Sequence, residues 1–310
     1  MKKIFIDGSH GTTGLKIAKR LANRDDIELL KVDFEDRRNV EVQREMINKA
    51  DLVFLCLPDD AVENRLNLIE NDELIVIDTS SLNRTNIDFA YGFMELSDEH
   101  SSNIQTYSKI SNPGCHASGF IANIFPLTAG GMLDKKTPLT CFSMTGYSGG
   151  GKQMIASYKN EISEEMKSTS HYALTQNHKH LKEMREITGL EITPIFSPVI
   201  VNFDCGMAVS TPLFISQLSN INSRSELYDY YYEYYKNSKL ITPILTKEDQ
   251  PYIYSNELRY KDNMKIYITG NDERVVVTSV FDNLGKGACG SAIQCMNLAL
   301  GFDELKGLVY

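Results

Sequence analysis

The sequence predicts an α/β fold in two parts: a parallel sheet covered by helices on both faces, then an α+β domain with a mixed or antiparallel sheet. Three observations carry that prediction. Short segments in the first third are apolar without alternation, as in strands buried on both faces. Helix-period segments and turns alternate with them, as βαβ units require. Beyond residue 112 the strand segments alternate in polarity or follow one another across short turns. At 310 residues with 42% hydrophobic content, the chain is long enough for two cores.

Taken in order, the opening "KKIFIDGSHGTTGLKIAKRLANRDDIELLKVD" reads as a strand at Ile4 to Ile6, a glycine-rich turn, a helix from about Thr13 to Ala22 and a strand from Ile27 to Val32. Gly8, Gly11 and Gly14 give the spacing G-x-x-G-x-x-G, a variant of the dinucleotide fingerprint. With a strand before and a helix after, that spacing predicts a Rossmann domain whose pyrophosphate sits on the helix N-terminus, at Thr12 and Thr13. Next, "ADLVFLCLPDDAVENRL" gives a strand from Leu52 to Leu57, a turn at Pro58 and a helix, and "ELIVIDTSS" gives a strand ending in Asp78 to Ser81. Ligands lie beyond the carboxyl ends of such strands, so Pro58 and Thr79 to Ser81 are expected to rim the nucleotide crevice. Ser80 and Ser81 read equally well as turn caps. Asp33 suits an NAD ribose, whereas Arg37 and Arg38 suit a 2′-phosphate.

Later strands are expected within 139–148, 195–203, 206–216, 264–272 and 274–282, and "YDYYYEYY" at 228–235 reads as a helix face. A glycine-punctuated loop then enters an amphipathic helix able to return to the first domain. The expected division is therefore 1–112 with 286–310 as the dinucleotide-binding domain, and 113–285 as a catalytic and oligomerisation domain.

Composition narrows the function. The net charge is −9, without a dense basic run, which argues against nucleic acid or an anionic membrane as partner. Six cysteines (56, 115, 141, 205, 289 and 295) show no metal-ligand spacing, and with no secretory leader they are expected to be reduced thiols in the cytoplasm. One of them stands apart. In "ISNPGCHASGFIANIFPL", Cys115 follows Pro113 and Gly114 and precedes apolar residues at helical spacing, which puts it at a helix N-terminus. Unpaired N–H groups and the helix dipole favour an anion there, so the thiol is a candidate nucleophile rather than a buried filler. Among the histidines, the "NHKHLKEM" pair His178 and His180 lacks the partners of a metal site. Its open readings are a surface pair or an acid/base opposite Cys115.

Five segments, "DGSHGTTG", "SNPGCHASG", "TGYSGGGK", "HKHLKEM" and "DNLGKGACGSAIQCMNL", together and in order closely resemble the N-acetyl-gamma-glutamyl-phosphate reductases in their shorter form. Those enzymes belong with the aspartate-semialdehyde and glyceraldehyde-3-phosphate dehydrogenases. The resemblance implies an NADPH-dependent reduction of an acyl phosphate to a semialdehyde in arginine biosynthesis, through a Cys115 thioester, by a homodimer or homotetramer. It implies a base from His180, with His178 the near alternative, and no role for His116. Asn283, Gly285 and Gly287 are expected near the nicotinamide, and Asn112, Ser148, Lys152 and Arg185 are candidates for holding substrate. The competing readings are a reductase of aspartyl or aminoadipyl phosphate, or an NADP-sensing regulator without turnover.

Overall fold

The computed structural model describes residues 1–310 apart from 161 and 248. It divides into two compact units, Met1–Pro113 with Ala288–Leu308, and Gly114–Gly287 with Val309–Tyr310.

The first unit begins β1 (Lys2–Asp7), α1 (Thr12–Leu21), β2 (Ile27–Leu30), α2 (Val40–Lys49), β3 (Leu52–Leu55), α3 (Asp59–Leu66), β4 (Ile75–Asp78), β5 (Ala90–Tyr91), α4 (Asp98–Thr106) and β6 (Lys109–Ser111). Its sheet runs β2-β1-β3-β4-β6-β5, and every neighbouring pair is parallel. The unbroken apolar runs are explained by packing on both faces. Ile4, Ile6, Leu52 and Phe54 point into one core with Ile17 and Leu21 of α1, while Phe5, Val53 and Leu55 point into the other with Ile47 of α2 and Val62 of α3. After β1 the chain steps out to β2 and then returns to the far side of β1 as β3. The glycine turn following β1 therefore stands at the topological switch point, where doubly wound sheets bind ligands.

The second unit holds α5 (Cys115–Ala129), β7 (Thr140–Gly146), α6 (Gly151–Asn160), β8 (Ser170–His171), α7 (Lys179–Thr188), β9 (Ile195–Val201), β10 (Met207–Phe214), α8 (Arg224–Tyr235), β11 (Ile241–Leu245), β12 (Met264–Gly270) and β13 (Arg274–Phe281). Its sheet, β11-β12-β13-β10-β7-β9-β8, is mixed: β11 with β12 and β7 with β9 are parallel, and the other pairs are antiparallel. Sequence reading misses β11, whose "ITPIL" is short, carries Pro243 and shows no clean alternation.

Helix α5 lies on this sheet and is tied to it by buried Asn123, whose Nδ2 donates to the carbonyls of Val209 (3.0 Å) and Val277 (3.1 Å). Pro126 sits inside α5 and has no N–H to give the Ala122 carbonyl four residues back. The hydroxyl of Tyr235 donates to that carbonyl instead, at 2.9 Å. Tyr230 and Tyr231 hydroxyls donate to the Pro126 and Asn123 carbonyls. The tyrosine tract is thus a helix face, and its hydroxyls satisfy the backbone of the helix that begins at Cys115.

A π-turn at Gly285–Cys289 leads into α9 (Gly290–Ala299), which belongs to the first unit. Here the pattern misled: α9 is not amphipathic, since Gly290 through Asn297 are all buried. Its polar residues have dedicated partners. Gln294 donates to Glu95 at 2.9 Å, and Asn297 accepts from Arg24 at 2.9 Å while donating to the Lys306 carbonyl.

Candidate active site

In the first unit the glycine turn is built for close approach. Gly8 has φ +81°, and a Cβ there would stand 2.2 Å from the Cys56 carbonyl oxygen, while a Cβ on Gly14 would stand 2.4 Å from that of Gly8. Only glycine fits either position. Gly11 is the N-cap of α1, donates to the Gly8 carbonyl at 2.8 Å and offers no side chain. The first N–H groups of that helix, at Thr12 and Thr13, thus meet no capping side chain, as a pyrophosphate site requires.

A cavity of about 820 Å³ opens against this turn, lined by Gly8, His10, Arg37, Arg38, Pro58 and Arg65 among others. Asp33 is not among its lining residues, whereas both arginines are. The Arg37 guanidinium stacks on Phe34 at 3.5 Å. Asp7 lies at the cavity floor, bonded by Arg65 Nε at 2.6 Å; burial pushes its carboxyl pKa up and Arg65 opposes that rise. Ser80 serves its own turn, donating to Asp78 Oδ2 at 2.9 Å and accepting from Leu82 N–H. Asn112, also in this unit, donates to the Ala288 carbonyl at 3.1 Å, and its Oδ1 is a buried acceptor without a partner among the described residues.

In the second unit Cys115 is the first residue of α5, with Gly114 as N-cap and no side-chain cap. The Gly114 N–H donates to Glu183 Oε1 of α7 at 2.8 Å, so one donor of the helix start is already spent on a buried carboxylate. Gly287 presses on the cysteine: a Cβ there would lie 2.9 Å from Cys115 Cβ. His178 caps α7, its Nδ1 accepting from the His180 N–H at 3.3 Å. The rings of His178 and His180 are 4.8 Å apart, and both lie near His116, at 6.1 and 5.5 Å. His116 is buried, with Nδ1 at 2.6 Å from Ser143 Oγ and Nε2 at 2.6 Å from the Tyr172 hydroxyl. Burial, followed by the charge of His178, pulls the His116 pKa down to about 3. The Tyr172 pKa is pushed up, first by burial and then by the charge of Cys115. The helix start at Cys115 and His116, the rings of His178 and His180 and the Tyr172 hydroxyl thus cluster.

Comparisons with known proteins decide the family. Residues 3–104 match the family described as semialdehyde dehydrogenase, NAD binding domain, and residues 115–283 match semialdehyde dehydrogenase, dimerisation domain. The N-acetyl-gamma-glutamyl-phosphate reductases of Brucella ovis and Brucella melitensis are each 38% identical over 306 residues, covering 96% of this chain and 99% of theirs. The chain belongs to the N-acetyl-gamma-glutamyl-phosphate reductase family. Its fold is shared with aspartate semialdehyde dehydrogenase II from Vibrio cholerae, at TM-score 0.73 and 16% identity over 97% of this chain and 99% of that one. The enzyme from Francisella tularensis gives TM-score 0.71 at 14% identity, over 96% and 99%.

The remaining expected residues each have a describable setting in this fold. Ser148 and Asn283 bond each other, Nδ2 to Oγ at 3.0 Å, and Asn283 Oδ1 also accepts the Gly206 N–H. Gly285 abuts the Lys261 carbonyl. Lys152 is exposed on α6, and Arg185 pairs with neighbouring Glu186 at 2.9 Å. Sequence reading of this reductase missed Tyr172, Ser143 and Glu183, and gave His116 no role. No local pattern signals them, because their partners are 27 to 69 residues away in the chain. Among the described residues no cluster suits a metal ion, and no helix is long and apolar enough to cross a membrane.

Proposed function

We propose that the protein reduces N-acetyl-L-glutamyl 5-phosphate to N-acetyl-L-glutamate 5-semialdehyde and phosphate with NADPH, in arginine biosynthesis. The observation that carries the reading is Cys115 at the start of α5 with His178 and His180 at the start of α7, in a chain of this reductase family. The glycine turn and cavity of the first unit suit a nicotinamide dinucleotide, and two cavity-lining arginines in place of Asp33 favour one bearing a 2′-phosphate.

Cys115 thiolate adds to the acyl carbon, a carbon–sulfur bond forms, and the carbon–oxygen bond to phosphate breaks with its electron pair leaving on phosphate. A thioester on Cys115 remains. When bound, the nicotinamide supplies hydride to the thioester carbonyl carbon. His180 donates a proton to the resulting oxygen and takes it back as the carbon–sulfur bond breaks, releasing aldehyde and thiolate. His178, whose Nδ1 is engaged in capping α7, orients that segment. The unpartnered Oδ1 of Asn112 supports its place as a ligand-binding amide, whereas the mutual bond of Ser148 and Asn283 gives them a scaffolding part. Lys152 is exposed and has the freedom to meet a phosphate, while Arg185 is already paired.

The assembly follows from the second sheet. Phe142, Ile195 and Phe214 are exposed on β7, β9 and β10, and the family matched by this region is described as a dimerisation domain. A homodimer through this unit is the reading they support. The deciding experiment is oxidation of N-acetylglutamate semialdehyde by the purified protein, with phosphate and with NADP or NAD. Strict dependence on phosphate and preference for NADP are expected. Turnover of aspartate semialdehyde in its place would overturn the substrate.

A further inference from the structure

We infer, on the footing that Cys115 is the nucleophile, that His116 is a positioning residue held by Ser143 in one tautomer, which turns the hydroxyl hydrogen of Tyr172 toward the group carried on Cys115. A neutral imidazole has one N–H donor and one acceptor nitrogen. His116 makes one hydrogen bond from each ring nitrogen, both 2.6 Å long, to Ser143 Oγ and to the Tyr172 hydroxyl. Which nitrogen carries the proton is decided by Ser143. That residue is fully buried on β7, and its hydroxyl has no other hydrogen-bond partner among the described residues. A buried hydroxyl hydrogen with no acceptor is costly, and Nδ1 is the acceptor in reach. Ser143 therefore donates to Nδ1, and the ring proton resides on Nε2.

The consequence reaches Tyr172. Nε2–H donates to the tyrosine oxygen, so the tyrosine's own hydrogen is not consumed by His116 and is available for a second acceptor. The opposite tautomer would strand the hydrogen of Ser143 and spend that of Tyr172. Rings of His180 and Phe196, at 5.5 and 5.3 Å, hold the imidazole plane, so the relay cannot rotate freely. The Tyr172 hydroxyl bonds the ring of the residue that directly follows Cys115, and its own ring lies 5.8 Å from that of His178, so it stands beside the start of α5. The acceptor supplied there during turnover is the acyl oxygen on Cys115, which becomes negative as the tetrahedral adduct forms and as hydride arrives. Tyr172 is then a catalytic donor to that oxygen, and Ser143 and His116 set its direction.

Two measurements test the relay. In the full-length protein labelled with ¹⁵N-histidine, two-bond proton–nitrogen correlations should show His116 protonated on Nε2 and bare on Nδ1, and Ser143→Ala should mix the tautomers. Steady-state rates should show Tyr172→Phe lowering kcat about 10²–10³-fold, the worth of one oxyanion donor, with KM for the acyl phosphate little changed. His116→Leu should act similarly, and His116→Gln, which keeps an N–H near the Nε2 position, should recover much of the loss. A His116 proton on Nδ1, or wild-type kcat in the isosteric Tyr172→Phe variant, overturns the relay. Absence of acyl-phosphate reduction by the wild-type protein would instead refute the function, and the tautomer would still be read directly from the spectrum.

Discussion

At the scale of single residues the proposed chemistry rests on Cys115. Replacing it by serine removes the nucleophile but none of the glycine turn, so Cys115→Ser should abolish turnover and leave NADP affinity nearly unchanged by titration calorimetry. Retained turnover would remove the covalent route. His180→Asn should slow acylation and aldehyde release about 10²–10⁴-fold, and His178→Asn should do less, read by stopped-flow phosphate release and by iodoacetamide labelling of Cys115 against pH. A larger defect in His178→Asn would exchange the two roles. His116 contributes nothing to that pH profile near neutrality. Burial keeps its pKa at about 3, so it stays neutral throughout that range.

Among the elements, α5 depends on α8 in a way that a hydrogen-bond account makes testable. Tyr235→Phe leaves the Ala122 carbonyl with neither the tyrosine nor a residue-126 N–H, which should cost about 1–3 kcal/mol in urea unfolding. Pro126→Ala restores the helical donor, so the double variant should be less destabilised than the sum of the two. A strictly additive pair would refute this account of the tyrosine. In the first unit, Arg24 grips Asp26 with two hydrogen bonds of 2.7 and 2.6 Å, and Lys306 adds a contact at 3.0 Å. These hold the Asp26 carboxyl well below its usual pKa, led by the Arg24 hydrogen bonds. A depressed folded-state pKa stabilises above the unfolded value, near 4, and the gain is lost as pH falls through the folded value. Asp26→Asn should therefore destabilise at pH 7 by about 1.5–3 kcal/mol, with the difference from wild type shrinking below pH 4 in thermal melts.

For the whole molecule, the mixed sheet offers an assembly test: replacing Phe142 and Phe214 together by aspartate should shift the sedimenting species from dimer toward monomer while each unit keeps its far-ultraviolet signature. An unchanged dimer would place the interface elsewhere. What the sequence determined by itself was local. Strand runs, the glycine turn at Gly8 to Gly14 and the helix start at Cys115 are set by neighbours within a few residues, and both the two-sided burial of the first sheet and the placement of Cys115 at the start of α5 were legible from them. Only tertiary structure decided the surroundings of that helix start and the partners of the other candidate residues. Tyr172 meets His116 across 56 residues, Glu183 meets Gly114 across 69, and Ser148 meets Asn283 across 135. The full burial of α9 was likewise hidden, because Gln294 and Asn297 look solvent-facing until Glu95, Arg24 and Lys306 are brought to them. The physical reason is that hydrophobic periodicity encodes which face of an element is buried, whereas the partner of a buried polar group depends on sheet order and register, which no short stretch of chain contains.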